Sequence, residues 1–377
     1  MLMCPKLFLL PKRSLVFCLI FAMGLTVVSL FTLPACKQGN MSVDAKPDTT
    51  SHNFVFQIDT LGDGESSILS DVFILNENDI WAVGQIYLKD ASGNFTSPYN
   101  VARWDGTKWN LQRLALPQYN FDCTIAFYSS ALATAVYGFS PATVILTDGI
   151  SVLKLNGEQI SHYPCIPLPM LGDGRIVKLW GTSENSFYAV GSKGIIFHYN
   201  GSSWQKLASG TIVDIQDIWG AVDSKTGQPT ILAVASYRAA VPQAKQLFGI
   251  QNNTVSILPD TGLPFDLSGI WFTAGERYFV VGDGVYYSDV LGNPWQSDSS
   301  HPLLYKDGIR GLAQNDIFIT GSFGLVSHYN GTTWKHYTGS ELPRFYGRYK
   351  AASYKRNSLV AVGWLDEKAI ILRGLRR

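Results

Sequence analysis

Charge is scarce in this chain of 377 residues: Asp, Glu, Lys and Arg make up 16% of it, against 46% hydrophobic residues. Thirty Lys and Arg stand against 29 Asp and Glu, a formal net charge of +1. That near-neutrality offers no electrostatic footprint for a nucleic acid, whose binding rests on clustered basic residues and counterion release. Cysteine is sparse too, five in all, and three of them (Cys4, Cys18, Cys36) sit at the N-terminal end. No CxxC or HExxH spacing occurs, so no metal site is expected. GxSxG and Walker-type phosphate loops are also missing. With them go the usual local signatures of serine acyl enzymes and P-loop nucleotide sites, and no cofactor is expected. Long hydrophobic runs are absent except for one, Leu15–Leu33.

That run follows a basic segment, Lys6, Lys12 and Arg13, and ends in Leu33-Pro34-Ala35-Cys36. The ending resembles the lipobox of bacterial lipoprotein signal peptides. The resemblance implies cleavage before Cys36, a lipid on that residue, and a body in the cell envelope outside the cytoplasm. The other reading is an uncleaved membrane anchor, since 19 residues approach the roughly 20 needed to span a bilayer. On the first reading residues 1–35 are a signal peptide, 36–52 a polar tether and 53–377 the folded domain. Cleavage would remove three positive charges and no negative ones, so the net charge goes from +1 to −2. Cys123 and Cys165 would then be the remaining thiols. In an oxidising envelope they could form one disulfide, and two separate buried thiols are the other reading.

What the chain has in abundance is glycine, 35 residues, and short β-branched or aromatic runs between turn signals. The clearest unit is Leu179–Leu207, "LWGTSENSFYAVGSKGIIFHYNGSSWQKL". It reads as four strands, with Asn200-Gly201 as a hairpin signal of the type I′ kind. Copies begin near Ser67, Phe121, Ile212, Leu267, Asp307 and Arg348. In the second copy "CTIAFY", "LATAVYG", "TVILTDG" and "ISVLKL" stand as the four strands. The last copy lacks its fourth strand, while Phe54–Leu61, "FVFQIDTL", is a lone strand before the first. The economical solution is circular: an all-β propeller of seven blades, each of four antiparallel strands, in which residues 54–61 complete the last blade. Closure protects sheet edges that would otherwise pair with other chains. Six or eight blades are the alternatives, because the second and fourth copies are irregular. The repeat resembles that of bacterial extracytoplasmic β-propellers, loosely akin to Kelch-type and photosystem II assembly-factor propellers, a likeness that implies fold and is nearly silent on function.

Residues that recur from blade to blade build blades. On that ground Gly84, Gly191, Gly282, Gly321 and Gly363 read as strand-end turn glycines, and Trp109, Trp204, Trp295 and Trp334 as packing between blades. His198 and His328 share the "HYNG" context three blades apart and cannot share an ion. Function is expected where blades differ, on the face carrying the connections between blades and the loops between second and third strands. The residues singled out there are Tyr137, Arg175, Lys193, Tyr237, Arg238, Asp283, Asp307, Arg310, Tyr346, Arg348 and Trp364. Aromatics with a few Arg and Asp groups suit a polar ligand, a glycan or a partner loop. No acid, base and nucleophile set stands out, so the expected role is a non-catalytic, membrane-anchored, monomeric scaffold for another envelope protein or a glycan. The alternative is a propeller glycoside hydrolase or lyase, with Arg175, Arg238, Arg310 and Arg348 as its arginine cluster and Asp173, Asp283 and Asp307 as its carboxylates. The Asp-box turn of sialidases is absent; only its Gly-x-x-Trp end survives.

Overall fold

Short runs rich in Val, Ile and aromatics, cut by glycine turns, cannot bury two faces alone, and they stack as sheets around a common axis. The computed structural model describes residues 49–377 apart from 157–158, 225, 238–244 and 343–344. It is a seven-bladed β-propeller, seven four-stranded antiparallel sheets in a ring. The innermost strands of blades 1 to 7 are Ile68–Asn76, Ala135–Ser140, Ile176–Ser183, Ile215–Val222, Leu267–Phe272, Lys306–Ala313 and Arg348–Lys355. Core residues interdigitate between blades: Trp180 and Val190 of the third blade pack with Ile218 and Ala233 of the fourth. The leader 1–35 and Cys36 lie outside the described residues.

The ring closes as the sequence predicts. Phe54–Leu61 pairs antiparallel with Lys368–Arg376, in register from Phe54↔Arg376 to Leu61↔Ala369. Its inward residues, Phe54 and Phe56, are buried. Asp59 on the same strand accepts from Arg373 Nε at 2.8 Å and from Trp109 Nε1 at 2.9 Å, tying the seventh blade to the first. Trp204 Nε1 and Trp334 Nε1 likewise reach backbone or side-chain oxygens of the preceding blade's outer segment, at Pro164 and Asp298.

Blade 2 departs from the sequence reading. "CTIAFY" is not its inner strand. Ile125–Ser129 pairs instead with Leu116–Tyr119 as an extra two-stranded hairpin, and Ile125, Phe127 and Tyr128 are exposed. An inner strand has neighbours on both sides and must be buried, which these residues are not. The inner strand is Ala135–Ser140, and the fourth is the polar "QISH", Gln159–His162. A disulfide joins Cys123, at the hairpin's turn, to Cys165, between the second and third blades, with Cα atoms 5.8 Å apart. It closes a separation of 42 residues, for which chain entropy gives a stabilisation of about 4 kcal/mol, within the usual 2–4. Replacing both cysteines by serine is expected to lower stability by about 2–4 kcal/mol. A melting curve matched against the wild type with and without reductant checks this, since reductant should no longer shift the variant.

Two turn assignments also change. The Asn-Gly and Asp-Gly hairpins are four-residue loops, not two-residue type I′ turns: Tyr199 pairs with Trp204 and Trp104 with Trp109. Only the glycine takes a left-handed conformation, φ 96° at both Gly201 and Gly106, while Asn200 Oδ1 accepts from the backbone of Ser202 and Ser203. The recurring strand-end glycines are not turn glycines either. A Cβ on Gly191 would lie 1.8 Å from the Arg175 carbonyl oxygen, and one on Gly363 1.8 Å from that of Arg348. They permit the second strand to approach the start of the first.

The chain is seated before its first strand. Thr50 donates to Asn315 O, and Tyr337 Oη donates to the carbonyl of His52. His52 Nδ1 lies 2.7 Å from His328 Nδ1, His328 Nε2 lies 2.8 Å from Asp316 Oδ1, and Thr333 Oγ1 lies 3.3 Å from His52 Nε2. Two neutral rings satisfy this chain in one direction: Thr333 donates to His52, His52 to His328, and His328 to Asp316. Arg376 and Tyr354 also donate to Asp316. Burial, then His328, Lys335 and Arg376, depress the His52 pKa to about 4 against the opposing pull of Asp316. Burial also lowers that of His328 despite Asp316. A histidine kept neutral in the fold binds its proton more readily when unfolded, so its contribution is present near neutrality and is lost as pH falls from about 6.5 to about 4. The melting temperature of the wild type should therefore fall more steeply between pH 7 and 4 than that of His52→Gln. Parallel curves for the two proteins would refute the assignment.

Candidate functional site: the central channel

The seven inner strands all run in the same direction, from the face of the inter-blade connections (the rim face) to the face of the Asn-Gly hairpins (the hairpin face). Six carry a register shift at the same place, which leaves Ser70, Val177, Gln216, Ser268, Asp307 and Lys350 unpaired. Such a bulge re-aims its side chain. All six, with Thr134 of the second blade, line a cavity of about 190 Å³ in the channel below the rim face. Sequence alone does not reveal this ring, because its members share neither a single residue type nor a single set of flanking residues.

Beneath it four charges cross the channel. Arg310 gives two parallel hydrogen bonds to Asp217, Nη1 and Nη2 each at 2.9 Å, and Lys178 Nζ reaches Asp71 at 2.5 Å. Asp71 and Asp217 are buried, and each also accepts from a neighbouring blade's backbone, at Val136 and Ile270. Burial alone would lower the Arg310 pKa, but Asp217, with Asp71 and Tyr137, more than offsets it and holds the guanidinium above its ordinary value. The layer is neutral, two acids against two bases.

Past that layer the channel widens into a cavity of about 280 Å³ walled by Phe73, Tyr137, Trp180, Trp219 and Tyr354. These aromatics occupy one repeat position or its neighbour, and Arg310 in "GIRG" stands where "DIWG" has Trp219. Small residues let each ring lean on the next blade. A Cβ on Gly220 would lie 2.3 Å from the Trp180 ring, and one on Gly311 2.6 Å from Trp271. Where no glycine serves, a hydrogen bond does, from Trp219 Nε1 to Phe272 O and from Tyr137 Oη to Gly181 O. Burial raises the Tyr137 pKa to about 12, so that donor stays protonated.

The predicted site residues divide accordingly. Tyr137 and Arg310 are not rim residues; they lie on inner strands inside the channel, Tyr137 because blade 2 begins one strand later than its sequence suggests. Asp307, Arg348 and Trp364 converge at the rim mouth. Arg348 Nε lies 2.9 and 2.8 Å from the two carboxylate oxygens of buried Asp307, and its guanidinium sits over the Trp364 and Tyr305 rings at 5.7 and 5.4 Å. Arg175 and Lys193 belong to neighbouring turns of the third blade, where Ser192 Oγ accepts from the Arg175 backbone and Asp214 from that of Lys193. Tyr237 donates to Ile212 O, and Asp283 and Tyr346 are exposed on separate loops. Arg238 lies outside the described residues. Among those described, no cluster of three or more His, Cys, Asp or Glu could hold a metal ion.

No protein-family model matches this sequence, and no curated protein matches it. Its fold has solved counterparts. A YCF48 structure bound to a D1 peptide superposes with a TM-score of 0.62 at 15% identity, over 87% of this chain and 99% of that one. The likeness is one of fold. YCF48 from Cyanidioschyzon merolae gives 0.56 at 15%, over 85% and 98% of the two chains. The WD40 β-propeller domain of Doa1 gives 0.56 at 13%, over 84% and 96%.

Proposed function

We propose that this chain is a non-catalytic scaffold that binds another protein or a glycan, held by a lipid on Cys36 at a bacterial envelope membrane with its propeller outside the cytoplasm. The observation that carries this reading is how the channel spends its charges. Asp71, Asp217 and Asp307 are each bound to a cation, and the remaining wall is aromatic and polar surface suited to recognition. A glycan-cleaving site would need two carboxylates facing one sugar; Asp307 is paired with Arg348, and Asp283 lies exposed on another blade. The Cys123–Cys165 disulfide fits an oxidising compartment. Among proteins of the same fold, one is solved with a peptide bound.

Two measurements test it. Cys36→Ser is expected to move the protein from the membrane to the soluble fraction, and retention in the membrane fraction would refute the lipid. Crosslinking in intact cells followed by pull-down is expected to recover one dominant envelope partner. Recovery of none, together with turnover on a glycan panel, would overturn the scaffold reading.

A further inference from the structure

Not one carboxylate lines the hairpin-face cavity, while three cations do: Lys178 and Arg310 at its floor and Lys355 at its opening. The acids that balance the floor approach from the other side, and Asp217 lines the rim cavity instead. Arg310 spends Nη1 and Nη2 on Asp217 and the Ile309 carbonyl, and no described residue accepts from its Nε. Its guanidinium lies 5.2 Å from the Trp219 ring centre, and Lys355 Nζ 5.9 Å from that of Phe73. Lys355 has no ion pair among the described residues, and its chain neighbour Arg356 has the same sign.

An enclosed space with aromatic walls, spare N–H donors at its floor and, at its opening, one lysine with no ion pair among the described residues selects a particular chemistry. Apolar groups gain from leaving water against the rings, and an anion gains from the unmatched donors. A bare phosphate would leave the aromatic walls unused, and a neutral hydrocarbon would leave the remaining N–H donors of Lys178 and Arg310 and the charge of Lys355 unanswered. A volume of about 280 Å³ is small for a folded partner's surface and suits one compact molecule.

We propose that this cavity binds a small aromatic or branched aliphatic carboxylic acid, its apolar body between Trp180, Trp219 and Phe73 and its carboxylate toward Arg310 and Lys178. The assignment goes beyond the scaffold reading and stands or falls separately from it, because it concerns a free small molecule.

The test uses the full chain with its native disulfide and 4-phenylbutyrate as probe, against 4-phenylbutyramide, followed by tryptophan fluorescence and calorimetry. The acid is expected to bind at least tenfold more tightly than the amide. Leu312→Trp, at an exposed position on the opening, should block both, and Lys355→Gln should weaken the acid alone by several-fold. Neither substitution touches the core, so melting temperatures should stay within a degree or two of wild type. Equal affinity for acid and amide overturns the proposal, as does acid binding that survives Leu312→Trp, or no binding of the acid at millimolar concentration.

Discussion

A chain that begins at Gly62, without Phe54–Leu61, is expected not to reach the native ring. The loss is concentrated. Phe54 meets Phe318 edge-on at 4.9 Å and Phe56 meets Tyr337 at 4.8 Å, and both phenylalanines are buried in the last blade's core. Truncating a single buried phenylalanine to alanine costs about 3–5 kcal/mol, and a domain holds only about 5–15 in reserve. Removing the strand also bares the edge of "KAIILRGLR", a long apolar strand of the kind that pairs with other chains. The deletion should therefore express as aggregate, with no sharp near-ultraviolet signal. A graded version separates packing from chain length. Phe56→Ala should cost about 3–5 kcal/mol, and Val55→Ala, on the same strand but 40% exposed, about 0.5 or less. A monomeric, cooperatively melting Gly62–Arg377 protein would show that six complete blades and a three-stranded seventh suffice.

Arg310→Met carries the second large effect. It leaves Asp217, 3% exposed, with a charge and no partner, and breaking a buried pair on one side costs about 3–5 kcal/mol. Asp217→Asn in the same protein removes the stranded charge and keeps an oxygen for the Ile270 N–H. The double variant should be more stable than Arg310→Met alone by 1 kcal/mol or more, a coupling that a denaturant double-mutant cycle reads directly. Additive losses, or a cost below about 1 kcal/mol for Arg310→Met, would mean that water enters the channel and screens the pair.

Ring closure was legible because two absences matched: a last repeat short of a strand and a first strand without a repeat. Periodicity and turn residues carried that inference, and both are local. Blade 2 differs from its sequence pattern for a physical reason too. "CTIAFY" has the β-branched and aromatic content of a strand and is one, but strand propensity does not say which sheet a strand joins. Its partner is the adjacent Leu116–Tyr119, and the disulfide ties the turn of that hairpin to Cys165. The channel charges were legible in type and not in place. Arg310 looked like a loop charge until "GIRG" is laid over "DIWG", which puts it where other blades hold an indole. The bulge ring left no trace in composition, since an extra residue in a ladder is a matter of pairing.

The last backbone amide, on Arg377, donates to the carbonyl of Asn53 at 2.9 Å, so the two ends of the propeller meet on the hairpin face. A lipid on Cys36 would hold the protein by the 13 residues that separate it from Thr50, a leash of roughly 50 Å at full extension. On that proposal the attachment reaches the ring on the face where the aromatic mouth opens, and the Asp307–Arg348 mouth opens on the opposite face, so the two ends of one channel would sample two different surroundings.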